Sequence, residues 1–203
     1  MSNIRTTART AGVAIRAVLV MTVLLGLAFP LAITGIGQVA FPTQANGSLI
    51  RSDGSPVGSA LLGQSFSDKD AKPLPQYFQS RPSASAYDAA ASGGSNLGPS
   101  NADLIAAIEK RRTDIAEFEG VDPAVIPADA LTASASGLDP QISSAYALLQ
   151  VPRVAAERGM SEDDVRAIVE SHIQGPDLGF LGEERVNVLQ LNLSLDAATG
   201  TRG

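Results

Sequence analysis

The chain has 203 residues, a net charge of −6, no cysteine, no tryptophan, one histidine and 4% aromatic residues. Its length suits one domain with an added anchor, and the missing cysteine excludes a disulfide framework, thiolate metal ligands and cysteine nucleophiles. The single His172 excludes a multi-histidine zinc site, and the acidic balance argues against nucleic acid as a partner, since phosphate binding needs clustered Lys and Arg.

Charge is unevenly spread along the chain. Residues 1–16 carry Arg5, Arg9, Arg16 and no acid, a charge of +3, so residues 17–203 carry −9 and the whole chain −6. From Ala17 to Ile50 no residue is charged, and Ala17–Val39 holds twelve Val, Leu, Ile and Phe residues. At about −0.3 to −0.6 kcal/mol each, these favour membrane insertion by roughly 4–7 kcal/mol before Pro30, the glycines and Gln38 are subtracted. At about 1.5 Å per residue the stretch reaches roughly 34 Å, enough to cross a hydrocarbon core of about 30 Å. A cleaved signal peptide has a shorter apolar region, about 7–15 residues, and ends in a small-x-small site that is not evident here. The expectation is an uncleaved transmembrane helix over residues 17–39. Arginines precede it and none follows until Arg51, which places residues 1–16 in the cytoplasm and residues 40–203 outside it. Pro30 removes the hydrogen bond to the Gly26 carbonyl and predicts a kink. Thr22/Gly26 and Ala28/Ala32 are spaced as small pairs that admit a neighbouring helix. Thr22, Gly26, Ala28, Pro30 and Ala32 are therefore candidate packing residues within the membrane.

Residues 41–100 are rich in Gly, Ser, Pro and Asn, with turn signals at Asn46-Gly47, Asp53-Gly54, Arg81-Pro82, Gly93-Gly94 and Gly98-Pro99. Tyr77, Phe78 and Tyr87 among them favour ordered irregular structure over a flexible linker, with short strands at Ser59–Leu62 and Gln76–Phe78. After Ser100 the pattern turns helical. Leu104, Ile105, Ile108, Ile115 and Phe118 mark a face, Ser100 or Asn101 is the N-cap, and Gly120 follows the end. A second helix is expected from Ser143 to Gly159, with Ala145, Tyr146, Leu149 and Val154 inward and Pro152 splitting or kinking it. A third starts on the cap Ser161, carries Val165, Ile168 and Val169, and stops at Gly175-Pro176. Val186–Leu195 alternates leucine with polar residues and reads as a half-buried strand, with Val186 and Val188 out of phase, which implies a bulge or two-sided burial. The fold class is α+β: one transmembrane helix, then one extracytoplasmic α+β domain.

Catalytic chemistry is hard to assemble from these residues. The chain contains no G-x-S-x-G elbow and no G-x-x-x-x-G-K-[ST] phosphate loop. His172 falls at a helix end on the apolar stripe and reads as structural. Glu162-Asp163-Asp164 occupies a first helical turn, where acids stabilise unpaired N–H groups. Lys110-Arg111-Arg112, beside Glu109 and Asp114, reads as a solvated face. The run Ala91–Asn101 can present N–H groups as an anion nest but has no lysine to complete a nucleotide site, and reads as a structural or interface loop. No catalytic, cofactor-binding or metal-ligating residue is assigned.

Several ordered stretches resemble the C-subunit family of the bacterial Kdp potassium-transporting ATPase. They are Phe41–Leu49, Gly58–Gln64, Tyr77-Phe78 leading to Arg81–Ala84, Ser92–Leu97, Thr132–Asp139, Arg153–Ala155 and Val186–Leu193. The chain departs from the family pattern at Gln141 and Glu184. The resemblance implies an accessory, non-enzymatic subunit of an ATP-driven, high-affinity potassium importer in the bacterial inner membrane. Its partners would be a channel-like A subunit, a P-type ATPase B subunit, a small F subunit and membrane lipid. ATP and potassium ion would act in the complex and not on this chain. The family's C subunit is regarded as needed for assembly and as a catalytic chaperone that raises the B subunit's affinity for ATP. An anchored envelope module that uses the Ala91–Asn101 loop as a ligand site is the alternative. Candidate partner-interface residues are Gln64, Arg81, Ser83, Asn96 and Asn101, polar side chains in the loop-rich half; the competing reading is that they tie those loops to each other.

Overall fold

The computed structural model describes residues 2–200; Met1 and residues 201–203, at the outer edges of the expected segments 1–16 and 40–203, lie outside the described residues, as do the side chains of residues 2–5. Two compact units divide between Leu49 and Ile50.

The first unit is helical. α1 (Ser2–Val23) passes into a π-helical turn (Leu24–Ala28) and then α2 (Phe29–Ala40), followed by the short α3 (Pro42–Ala45). Residues Thr6–Ala40 form one helix long and apolar enough to cross a membrane, none of it buried within the chain. The π turn lies immediately before Pro30. There the Phe29 N–H reaches back to the Leu24 carbonyl, one residue further than in an α-helix. Pro30 has no N–H for the Gly26 carbonyl, and widening the preceding turn gives its ring room without breaking the helix. Past the helix end, Asn46 Nδ2 donates to the Pro42 carbonyl at 2.7 Å and to Gln38 Oε1 at 3.0 Å.

The second unit opens on a hairpin, β1 (Leu49–Ser52) and β2 (Ser55–Ser59). Asp53 and Gly54 form its turn at φ of 49° and 81°, the left-handed pair that a two-residue hairpin requires. α4 (Ala102–Glu119) begins on Asn101, whose Oδ1 accepts from the Asp103 and Leu104 N–H groups, and ends at Gly120 with φ 68°. Its expected inner face is only half-buried, and Ile105 points to solvent. A 3₁₀ turn (Pro123–Val125) and α5 (Ala128–Leu131) follow. β3 (Gln141–Ser143) leads into α6 (Ser144–Leu149) and α7 (Val151–Arg158), split at Gln150 just ahead of Pro152 as expected; Tyr146 and Val154 point in, whereas Ala145 points out and Ala147 takes its place. α8 (Glu162–Ser171) is capped by Ser161, whose Oγ accepts from the Asp164 N–H.

Three expectations need correction. The third helix stops at Ser171, four residues early, because Ile173-Gln174 forms strand β4. Neither Ser59–Leu62 nor Gln76–Phe78 is a strand: β2 ends at Ser59, and residues 76–78 run beside helices that offer no backbone partners. The run Val186–Leu195 is mostly helix, with β5 (Arg185–Asn187) giving way to α9 (Val188–Thr199). Its buried residues Val188, Leu189, Leu191, Asn192 and Leu195 follow helical spacing, i, i+1, i+3, i+4 and i+7. Polar Asn192 on that face hid the helical period, while the alternating leucines imitated a strand. A cap signal was present: Asn187, three residues before Gln190, accepts the Gln190 N–H at 3.1 Å.

β5 is the centre of a small antiparallel sheet in the order β3-β5-β4, with Ile142 and Ile173 both opposite Val186. Helices α6–α9 cover it with a core of Val151, Val154, Val165, Val169, Val186, Leu191 and Leu195 around Phe78. The backbone groups of Phe78 and Gln79 are satisfied by side chains. Asn192 Oδ1 accepts the Phe78 N–H at 2.9 Å and Nδ2 donates to the Phe78 carbonyl at 3.0 Å. Gln150 repeats the pattern on Gln79, at 2.7 and 3.2 Å. Asn192→Leu keeps approximate volume but orphans both buried Phe78 groups, at about 1–3 kcal/mol each. Chemical unfolding of the full chain in mild detergent is expected to show at least about 2 kcal/mol lost, against a near-neutral change for exposed Ala198→Leu.

Candidate functional site

Two segments distant in sequence, residues 80–94 and 132–141, lock together by polar contacts. Ser83 Oγ donates to the Gly137 carbonyl at 2.7 Å and accepts from the Ser85 and Tyr87 N–H groups. Ser92 Oγ and the Gly93 N–H both donate to the Ser136 carbonyl, at 3.0 and 2.8 Å. Gly137 sits at φ 68°, and a Cβ there would lie 2.5 Å from Ser85 Oγ, so both backbone and space demand glycine. Arg81 is the pivot. Its Nη1 lies 2.9 Å from Asp139 Oδ2, its Nη2 donates to the Thr132 carbonyl at 3.4 Å, and its own carbonyl accepts the Tyr87 hydroxyl at 2.7 Å. The buried Arg81 Nε has no partner among the described residues.

Arg81 and Asp139 open onto a cleft of about 600 Å³ whose charged lining comprises five acids and two arginines, so it is net anionic. Asp129 on α5 fixes its floor, accepting from the Ser143 N–H and Oγ, both at 2.8 Å. Gln141 and Glu184, where the sequence departs from the family pattern, both line it. Among the described residues no three His, Cys, Asp or Glu side chains converge to hold a metal ion.

Of the five interface candidates, four are tied to their own chain. Gln64 Nε2 donates to the Val57 carbonyl at 2.9 Å and its carbonyl accepts from Ser80 Oγ. Ser83 and Arg81 make the ties above, and Asn101 is the cap of α4. Asn96 stands exposed at φ 54°. On the membrane helix, Thr22 and Gly26 line a shallow apolar recess with Val18 and Leu25; Ala28 lies in the π turn, and Pro30 and Ala32 lie on α2. The basic triplet is only partly a solvated face: Lys110 pairs with Asp114 and Arg112 with Glu109, but Arg111 Nη1 donates to the Leu131 carbonyl at 2.9 Å.

One contact was invisible in the sequence. His172 Nε2 lies 2.8 Å from Ser194 Oγ, and Nδ1 lies 2.9 Å from the Ile168 carbonyl. A proton on Nδ1 lets the ring donate to Ile168 and accept from Ser194, the polarity of a serine–histidine pair. Ser194 lies inside α9, where helical bonding occupies the backbone N–H groups that would form an oxyanion hole. The pair ties the end of α8 to α9.

A helix long and apolar enough to cross a membrane, followed by an α+β body, is the form of a membrane-anchored protein. Residues 11–197 match the family model for the K+-transporting ATPase c chain, KdpC. The chain is 57% identical over 180 residues to the potassium-transporting ATPase KdpC subunit of Caulobacter vibrioides strain NA1000, covering 87% of each chain. It is 53% identical over 182 residues to that of Methylibium petroleiphilum, with 87% and 91% covered, and 51% identical over 182 residues to that of Kineococcus radiotolerans, with 89% of each covered. The chain belongs to the KdpC family, whose members are subunits of a potassium-transporting ATPase and not enzymes by themselves. Its role is accessory, in potassium import, and it is membrane-associated through one N-terminal helix.

The body's three tyrosines report on its packing. Burial pushes the Tyr87 phenol up from 10.0 to about 12, and raises Tyr146 and Tyr77 as well. A phenol raised on folding contributes stability that is complete below its unfolded value, near 10, and is lost as pH rises through the folded value. Phenolate absorbance of the folded chain should therefore appear at higher pH than in urea, and unfolding free energy should fall between pH 10.0 and about 12. Tyr87→Phe should flatten that fall. Coincident titrations of folded and unfolded protein would contradict the packing of these rings.

Proposed function

We propose that this chain is the accessory subunit that supports assembly of a potassium-importing P-type ATPase and raises the ATPase subunit's affinity for ATP. Membership of the KdpC family carries the reading. A channel-like subunit, a P-type ATPase subunit and a small third subunit are its proposed partners. The N-terminus lies in the cytoplasm and the body outside it, capping the outer mouth of the transporter; the arginines before the apolar helix support that orientation. ATP is cytoplasmic, where this orientation leaves about sixteen residues of the chain. The effect on ATP therefore travels through helix contacts that bias the ATPase subunit's conformational equilibrium. The recess around Thr22 and Gly26, the lone apolar neighbour of a Gly26 Cβ being Thr22 Cγ2 at 3.8 Å, offers a place for a second helix.

Orientation is tested with single cysteines at exposed positions, since the natural chain has none. Ala198→Cys on α9 should react with an impermeant maleimide added outside the cytoplasmic membrane, and Ala8→Cys should not. The reverse pattern overturns the orientation. Function is tested by solubilising native membranes in mild detergent. The chain should co-elute with multi-span subunits and a potassium-stimulated ATPase. Gly26→Leu should raise the ATP concentration for half-maximal activity by about five-fold or more. Elution of the natural chain as a free monomer would overturn the assignment.

A further inference from the structure

The loop between β4 and β5, residues 175–184, holds its shape through its backbone. The Asp177 N–H donates to the Leu181 carbonyl at 2.8 Å, the Leu181 N–H returns to the Asp177 carbonyl at 2.9 Å, and the Gly179 N–H donates to the Pro176 carbonyl at 3.0 Å. Arg185 braces its base through Asp177 Oδ1 at 2.8 Å. Its large side chains take no part. Leu178 is 82% exposed, Phe180 74% and Leu181 50%, and Leu178 adopts a left-handed φ of 55° that a leucine disfavours. An ordered loop that turns three large apolar side chains to solvent presents a ready-made anchor, because little conformational freedom remains to be lost on docking.

Charge limits what the anchor can enter. Leu181 also lines the anionic cleft, so apolar tip and cleft form one continuous surface. The two arginines there are already committed, Arg81 to Asp139 and Arg185 to Asp177. Glu183 and Glu184 follow the tip directly, and Glu184 accepts from the Ser144 hydroxyl at 3.1 Å with no ion-pair partner among the described residues. An anionic lipid surface is repelled by this rim, whereas a protein pocket edged by Lys or Arg complements it.

We propose that Leu178, Phe180 and Leu181 insert into an apolar pocket on another subunit of the ATPase, with a Lys or Arg at the pocket's edge meeting Glu183 and Glu184. This rests on the chain acting as a subunit of that complex. The test places a photo-crosslinking benzoylphenylalanine at Phe180 of the full chain, expressed with its natural partners, and irradiates native membranes. The expected product is an adduct with one copurifying ATPase subunit, mapped to a segment containing Lys or Arg. Adding Glu183→Lys and Glu184→Lys should lower its yield about ten-fold. A lipid adduct, no adduct, or an adduct indifferent to charge reversal overturns the inference. If the natural chain copurifies while the adduct is missing, only this surface is refuted. If the natural chain does not copurify, both this inference and the proposed function fail.

Discussion

Phe78 can be buried only if something satisfies the peptide groups on either side of it. Residues 75–79 pass through a turn and a bend outside any strand, and each polar backbone atom buried there would be costly to leave dry. Two helix-borne amides solve this, Asn192 for Phe78 and Gln150 for Gln79, each giving and receiving one hydrogen bond. Because Gln150 lies at the junction of α6 and α7 and Asn192 on α9, the contacts fix those helices against one irregular segment. The valine and leucine core then packs in a single register, and the sheet strand β5 is delivered to its place at the start of α9.

The arginines extend the same principle. Arg153 donates to the carbonyls of Pro75 and Tyr77 and pairs with buried Glu119 at 2.9 Å; Arg158 donates to the Gln76 carbonyl at 2.6 Å and pairs with Asp196 at 2.8 Å. Both guanidinium groups also stack on rings, Arg153 on Phe118 and Arg158 on Tyr77. Burial pushes the Glu119 carboxyl up against the opposing pull of Arg153. Arg81, Arg111 and Arg185 likewise reach backbone carbonyls. Arg153 and Arg158 are buried with their carboxylate partners, so each internal pair withdraws one charge of each sign from the surface.

In the membrane helix one residue organises the departure from regularity. Pro30 cannot bond to the Gly26 carbonyl, and the π turn Leu24–Ala28 carries the chain past it with the helix unbroken. The same turn contains Gly26, which lines the apolar recess together with Thr22.

By itself the sequence determined several features governed by local chemistry. The apolar, uncharged run after Arg16, the caps Asn101 and Ser161, the Asp53-Gly54 turn, the stop at Gly120 and the split ahead of Pro152 depend on neighbours a few residues away, and each lies where expected. The family could be read from ordered stretches along the whole chain for the same reason. Tertiary structure decided whatever depended on a distant partner. Asn192 faces inward because Phe78, 114 residues away, needs it, and that polar residue concealed the helical period of α9. Arg81 and Ser83, plausible as interface residues when seen alone, are consumed by Asp139 and Gly137, more than fifty residues on. The exposure of Phe180 was equally undecidable in one dimension, because an apolar residue in sequence points toward a core unless the folded backbone turns it away.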